Sequence, residues 1–469
     1  MLERRHTFKD SALLLLPWVQ KPWFRNRFRG AEGGRGASRV RAAFGCEDKT
    51  QPRHEMRATT LWRRLLGVEG FVVESVEFNE DKHAVAVKVR PKHRHKNRCP
   101  HCGYRCPSYD QGAGRRQWRA LDAATKFILL EADAPRVECR VHGVVVAAVP
   151  WARHGSAFMK PFEDQVAWLA ARMDKTSLSK LMRITWRTVG NIVERVTSEI
   201  ARKVDRFANV RRIGVDEIGY RKGHRFLTVV VDHDTGRLIW AHEGKGEEAL
   251  RGFFEALGEE GRARVELVSA DAAPWFVGIL RSTFSNADIC IDPFHVVKWA
   301  NEALDKTRRE MWRDLQRRRG QSEFATVIKG SRWALCKNPE DLTEGQRAKL
   351  DDVEKLNQPL YRGYLLKEQL REVFKRRGNG GVELLKLWLE WQAQSGLEAF
   401  DSVAKSIRHQ WDGIVAALEY GLTNARVEAL NNQLRLITRM GFGYHSADAV
   451  IALAMLRVGG LCPSLPDRT

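Results

Sequence analysis

The arrangement of apolar and polar positions changes character several times along the chain. Residues 1–55 hold no sustained period, and Arg25 to Arg41 mixes arginine with Gly30, Gly33, Gly34 and Gly36. Such a stretch cannot bury a core, so a disordered basic leader is expected. Order begins at Met56. Thr59–Leu66 has the spacing of a short helix, and Phe71–Phe78 and Ala84–Val89 alternate as strands do. Gln117–Leu121 and Phe127–Ala132 are further strand-like runs, whereas Phe162–Arg172, Ser177–Met182 and Thr185–Lys203 follow a helical period. Beyond Arg211 come three short apolar strands, Ile213–Ile218, Phe226–Asp232 and Leu238–His242, the last two joined by the turn Asp234-Thr235-Gly236. A helix (Glu247–Leu257), a strand (Val265–Ser269), a helix (Pro274–Ser282) and a strand (Ala287–Ile291) follow. A meander followed by that alternation predicts a mixed sheet with helices packed on it. Residues 294–420 read as charged helices, and Thr423–Leu456 as two helices around a Gly441-Phe442-Gly443 break.

Composition narrows the class. A chain of 469 residues exceeds what one core usually absorbs, so two to four domains are expected. Its 79 Lys and Arg outweigh 58 Asp and Glu for a net charge of +21, which favours a polyanionic partner, nucleic acid first. A hydrophobic share of 43% excludes wholesale disorder. No apolar run, the short one around Ala12–Trp18 included, approaches the length that spans a membrane, and Met1–Asp10 lacks a signal-peptide pattern. Eight cysteines, scattered apart from one cluster, suit a reducing compartment and one metal site better than a disulfide framework. A cytoplasmic location is expected.

The cluster is Cys99-Pro-His-Cys102 followed by Cys139-Arg-Val-His142. Paired soft ligands on tight knuckles suit tetrahedral zinc, and a closed set of four is structural, not catalytic. The long gap between the pairs is expected to hold a small β-hairpin, and Cys106 and His101 lie close enough to compete as ligands. From Lys88 to Arg119 ten basic residues face one acid, Asp110, and Lys92, Arg94 and Lys96 are candidates for phosphate contacts. A helix-turn-helix candidate follows. Ser177–Met182 is expected to bury Leu178 and Leu181, Ile184 sits in the turn, and Thr185 caps a second helix with Val189, Ile192, Val193 and Val196 inward. Trp186, Arg187 and Asn191 then face outward towards bases or phosphates; an ordinary helical hairpin fits the segment taken alone equally well.

Asp216 interrupts an apolar strand, and Asp271 directly follows a second one. Carboxylates brought together at adjacent strands repel and need a cation. Glu428 lies on a helix over Asn424–Arg439 whose buried stripe is Val427, Leu430, Leu434 and Ile437, beside the polar residues Asn424, Asn431, Asn432 and Arg435. Asp292-Pro-Phe-His295 adds an acid and a histidine after the fifth strand.

With the order zinc pair, helix-turn-helix, IGVDEIGYRKGH, SADAAPWF, DPFHVVKWAN and TNARVEALNNQLRLITRMGFGY, the chain from about Met56 to its end resembles the insertion-sequence transposases of the ISL-three type. The ordered combination is specific although each piece alone is not. The resemblance implies a multidomain α+β protein: a zinc-binding module, a helix-turn-helix, and a ribonuclease-H-like mixed α/β catalytic domain with a large all-helical insertion. On that scheme residues 1–55 are the leader, without a counterpart in the family pattern. Residues 56–155 are the zinc module, 156–206 the helix-turn-helix, 207–311 the first part of the catalytic core, 312–417 the insertion and 418–469 the C-terminal helices of the core. It implies Asp216, Asp271 and Glu428 as a DDE triad, and Asp292 and His295 as the D-x-x-H signature. The second zinc pair departs from the Cys-x-x-Cys of many relatives.

The implied reaction is metal-dependent phosphoryl transfer with two Mg²⁺ (or Mn²⁺) ions, nicking DNA at the element's ends and joining the 3′-hydroxyl to target DNA. Asp216 would bridge the ions, Asp271 and Glu428 would complete one site each, and His295 would orient a water or phosphate. Glu302 and Glu310 also lie on helices after the second Asp and rival Glu428. The partners implied are terminal inverted repeats, target DNA and further copies of the chain in a homodimer or higher oligomer, without a membrane. The setting implied is bacterial cytoplasm, nucleoid-associated when bound. Rival readings are a metal-dependent nuclease of the same fold and a domesticated, non-catalytic DNA-binding regulator.

Overall fold

The computed structural model describes residues 57–465 except 82, 319, 442 and 445, so the leader expected over residues 1–55 lies outside the described residues. The described part opens with α1 (Ala58–Leu65), β1 (Phe71–Asn79) and β2 (Ala84–Pro91), then β3 (Ser108–Asp110), β4 (Arg115–Arg119), β5 (Phe127–Asp133), β6 (Arg136–Cys139) and β7 (Gly143–Val146). Two sheets form, one in the order β1-β2-β5-β4 and one in the order β3-β6-β7. The hairpin expected between the zinc pairs exists as β4 and β5, with Gln117 opposite Glu131. It does not stay with the knuckles. β5 also pairs parallel to β2, with Val87 opposite Leu130, because the apolar faces of both strands close over Trp118 and Trp151. The knuckles instead carry the short sheet β3-β6-β7.

The helix-turn-helix is α2 (Lys160–Ala170), α3 (Lys175–Met182) and α4 (Trp186–Ala201). Asp174 caps α3 and Thr185 caps α4, each accepting backbone N–H groups that the first turn leaves free. Arg183, at φ 53°, makes the tight bend between them. Leu178 is buried as expected, but Leu181 is 60% exposed. Met182 takes its place, since Leu178 and Met182, four residues apart, share a helix face and Leu181 is turned away.

The second half is built on β8 (Arg212–Arg221), β9 (Arg225–Asp232), β10 (Leu238–Glu243), α5 (Glu247–Arg264), β11 (Leu267–Ala270), α6 (Pro274–Thr283) and β12 (Asp288–Ile291). The five strands order as β10-β9-β8-β11-β12, antiparallel through β8 and parallel from there. The helical stretch is α7 (Pro293–Arg317), α8 (Ser322–Gly330), α9 (Arg332–Cys336), α10 (Glu344–Leu356), α11 (Gln358–Arg376), α12 (Gly378–Ala393), α13 (Glu398–His409) and α14 (Trp411–Tyr420). The last helices are α15 (Ala425–Met440) and α16 (Ala447–Arg457). Strand alternation sorts the sheet into two faces. Ile213, Val215 and Val230 join one continuous core with α5, α6 and the helical stretch, while Ile218, Leu227 and Val229 join a second core with α15 and α16. The helical stretch therefore shares its core with the sheet. Gly413 is one reason: a Cβ there would lie 2.6 Å from Ile291 Cγ1, so glycine lets α14 lie directly on β12. No helix among the described residues is long and apolar enough to cross a membrane.

Candidate functional site

β11 runs parallel to β8 with Ser269 opposite Gly214 as its last pair; Asp271 follows the end of β11 at Ala270, and its charge acts on Asp216, two residues beyond Gly214 on β8. Gly214 faces α15 and has no room for a side chain, since a Cβ would lie 2.4 Å from Val427 Cγ2 and 2.7 Å from His233 Nε2. One helical turn on, Asn431 Nδ2 donates to Asp216 Oδ2 at 2.7 Å. Val427 over Gly214 and Asn431 over Asp216 show α15 lying along β8.

Two further residues tie in β12. His295 Nε2 lies 3.2 Å from Asp271 Oδ1, and its Nδ1 lies 3.4 Å from Asp292 Oδ2. Asp292 is 7% exposed, caps α7, and accepts the Asn424 backbone N–H at 3.4 Å. Asn424 Oδ1 accepts the Ser269 hydroxyl, which leaves Ser269 Oγ to accept from His233 Nε2–H at 2.7 Å. A buried polar chain thus runs from His233 through Ser269 and Asn424 to Asp292 and His295.

Burial pushes the Asp216 carboxyl above the usual range; the Glu217 N–H and Asn431 amide oppose this, and the Asp271 charge reinforces it. Burial also raises Glu217, whose Oε1 accepts the Gly246 N–H at 2.9 Å. For His295 burial disfavours the imidazolium, but Asp292 and Asp271 outweigh it and hold the pKa above the ordinary value. Asp271, with 42% of its side chain exposed, is the open member. Asn431 Oδ1 is buried with no hydrogen-bond partner among the described residues.

Glu428 is exposed near the start of α15, and among the described residues its carboxylate makes no side-chain hydrogen bond or ion pair. It stands four residues after Asn424 and three before Asn431, so the helical period puts all three on one face. Its rivals lie on α7, where Glu302 sits 4.0 Å from Lys298 and Glu310 is exposed.

The zinc ligand candidates come together. The ligand atoms of Cys99, Cys102, Cys139 and His142 all lie within 4.8 Å of one another, the one such group of three or more among the described residues. Cys102 and Cys139 sulfurs are 3.7 Å apart, and His142 Nδ1 lies 3.6 Å from Cys99 and 3.5 Å from Cys139. A tetrahedron with bonds of about 2.3 Å to sulfur and about 2.0 Å to nitrogen has edges near 3.8 and 3.5 Å, so the quartet fits zinc. Backbone N–H groups of Val141 and His142 lower the Cys139 thiol to about 6, favouring the thiolate a metal needs. Cys106 instead points its thiol at the Tyr104 carbonyl, 3.4 Å away, and the His101 ring packs on His142 and His154.

Of the DNA-contact candidates, Arg94, Lys96, Trp186, Arg187, Asn191 and Arg435 are exposed and Lys92 is half-buried. Lys175 Nζ stands 3.6 Å from the Trp186 ring centroid. Trp186, Arg187 and Asn191 also line a cleft of about 480 Å³ against Met440, Tyr444 and Arg457, so part of the expected reading face looks towards α15 and α16. Arg435 pairs with Asn432 at 3.1 Å.

Three family profiles match in this same order. A zinc-finger of transposases IS204, IS1001, IS1096 and IS1165 covers residues 95–142, a helix-turn-helix domain of transposase family ISL3 covers 147–197, and the ISL3 DDE profile, described as a transposase, covers 213–454. The chain belongs to the ISL3 transposase family. It is 47% identical over 436 residues to the transposase for insertion sequence element IS1557 of two Mycobacterium tuberculosis strains, CDC 1551 / Oshkosh and H37Rv, covering 88% of this chain and 98% of the relative. It is 27% identical over 392 residues to the transposase for IS1001 of Bordetella parapertussis, covering 83% and 95%.

For this ISL3 transposase, the zinc-finger match and the Cys₃His quartet together support a structural zinc ion. Asp271, Asp292 and His295 form one contacting group, Asp216 feels the charges of Asp271 and His295 and bonds Asn431, and Glu428 lies on α15 three residues before Asn431. Sequence reading passed over Ser269, His233 and the buried role of Asn424. Ser269 had a signal, since it lies two residues before Asp271. His233 had none, because its partner is 36 residues away.

Proposed function

We propose that the protein binds the terminal inverted repeats of its insertion sequence, cleaves DNA at the element ends, and joins the freed 3′-hydroxyl to target DNA. The reading rests on the family and, within this chain, on one observation: Asp216 on β8 and Asp271, just past the end of β11, act on each other as charges beside the same helix that carries Glu428 between Asn424 and Asn431. The strand order and the helices between β12 and α15 support a ribonuclease-H-like core with a helical insertion over 312–417. The module limits proposed are 56–155, 156–206, 207–311 and 418–469.

The donor set suits hard divalent cations. The Asp271 charge acts on the buried Asp216 carboxylate, and Asn431 Oδ1 is a buried acceptor beside Asp216 without a partner among the described residues. Asp216, Asp271 and Glu428 would hold two Mg²⁺ or Mn²⁺ ions. Such ions supply Lewis-acid polarisation of a phosphate and lower the pKa of a bound water. His295, held between Asp271 and Asp292, orients a water or phosphate oxygen. Water and then a DNA 3′-hydroxyl attack phosphorus as the P–O3′ bond breaks, so no covalent protein–DNA intermediate arises. Arg187, Asn191 and Trp186 read the terminal repeat, Lys92, Arg94 and Lys96 hold phosphates, and Arg435 meets DNA near the acids. Assembly as a homodimer or higher oligomer on DNA, in the cytoplasm and nucleoid-associated, completes the proposal.

The test is incubation of the protein with element-end DNA, target DNA and Mg²⁺. Joined products are expected. Cut products alone would make it a nuclease, and a mobility shift without cutting a regulator; either result overturns the reading.

A further inference from the structure

Beside Asp271 and His295 opens a cavity of about 380 Å³ whose other wall is Lys298 and Trp299 of α7 together with His409 and Gln410. It exists because α14 lies hard on β12 at Gly413, which brings the α13–α14 junction next to the acids. Gln410, at that junction, is 3% exposed, yet among the described residues no hydrogen bond reaches its side-chain amide. The amide is not among the fully buried unpaired polar atoms, so it opens onto the cavity it lines, where a ligand rather than the protein can hydrogen-bond to it. The remaining walls define that ligand's chemistry. Trp299 is a partly buried aromatic surface anchored on the main core, and Lys298 is an exposed cation one residue before it. The volume suits one nucleotide, not a duplex, and falls within the roughly 300–1,000 Å³ of ligand pockets.

We infer that this cavity receives a single unpaired nucleotide of the DNA end, its base against Trp299 and hydrogen-bonded to the Gln410 amide, with Lys298 near its phosphate. An amide carries both donor and acceptor and matches the edge of a base, while an aromatic face and a cation are what tolerant single-strand sites combine. The inference deepens the proposed function, since it adds a subsite next to Asp271 that selects DNA opened at the cut.

The experiment uses the full chain and a short forked duplex carrying one unpaired 2-aminopurine at the fork, without added metal. Anisotropy measures the bound fraction and emission is compared at equal occupancy. Stacking in the parent should quench emission roughly threefold. Gln410→Met, close in size and without a polar group, should lose most of that quenching while melting no lower than the parent, because the amide has no partner in the protein to forfeit. A merely structural Gln410 would give the reverse, a lower melting temperature with quenching retained. Lys298→Ala, at an exposed position, should raise the concentration for half-maximal quenching about threefold. Unchanged emission with the parent, or full quenching in both variants, overturns the site. With no metal present the readout is independent of strand cleavage: quenching by a protein that never cuts sinks the proposed chemistry and keeps the subsite, and cutting without quenching does the opposite.

Discussion

His233 is 4% exposed, and burial, with Arg426 and Arg212 adding to it, lowers its pKa to about 4 against the pull of Asp232 and Asp234. An unfolded histidine titrates near 6.5, so between the two values the unfolded chain binds the extra proton. The stability due to neutral His233 is therefore complete above about pH 6.5 and is lost as pH falls towards 4, up to on the order of 3 kcal/mol. We expect His233→Gln to melt with a flatter dependence between pH 4 and 6.5 than the parent; parallel curves would show that His233 does not titrate there. At this scale the sequence discloses single residues that break a pattern. Asp216 is legible because an acid interrupts an apolar strand, and the zinc ligands because their spacing is local. Leu181 was misplaced because Leu181 and Met182 compete for one face, and only the packed helix decides between them. Glu428 is legible through its stripe of neighbours, but among the described residues its own carboxylate has no hydrogen bond or ion pair.

Helices and strands were largely readable, since each has a clear period, and most of their limits lie within a few residues of those expected. The exceptions are β3, β6 and β7, each of three or four residues and too short to show alternation. The seating of one element on another was not readable, because it depends on pairs such as Gly214 with Val427. Gly214→Ala should cost roughly 1–3 kcal/mol by forcing α15 off β8, and with it should reduce cleavage by displacing Asn431 from Asp216. Unchanged melting and activity would mean that α15 adjusts freely. On the helix-turn-helix, Arg187→Ala should reduce discrimination between terminal-repeat and random DNA. Lys92→Ala should weaken both about equally and reduce the salt slope by about one. Titrations at several salt concentrations distinguish the two, and the same loss of discrimination from both would contradict the assignments.

Across the whole molecule the modules differ in how they are held together. The sheet cores bury many large apolar side chains, whereas the cluster around the zinc ligands consists of Cys99, Cys106, Val137, Cys139 and Ala147. So small a cluster needs its metal. Chelation should expose β3, β6 and β7 to hydrogen exchange while the β8–β12 sheet stays protected; loss of protection throughout, or no zinc in protein purified without chelators, would contradict this. The order of modules was legible from motifs alone, but the sharing of one core between the helical stretch and the sheet was not, because it rests on contacts between residues far apart in the chain. The central claim is that three carboxylates, on β8, just past the end of β11 and on α15, carry the chemistry. It is tested most directly by assaying cleavage and joining of element-end DNA with Mg²⁺ for Asp216→Asn, Asp271→Asn and Glu428→Gln, beside Glu302→Gln and Glu310→Gln. The first three should lose activity by on the order of a thousandfold or more while still binding DNA ends, and the last two should stay within a few-fold of the parent. Full activity in Glu428→Gln, or loss confined to Glu302→Gln or Glu310→Gln, would move the third carboxylate off α15 and contradict the claim.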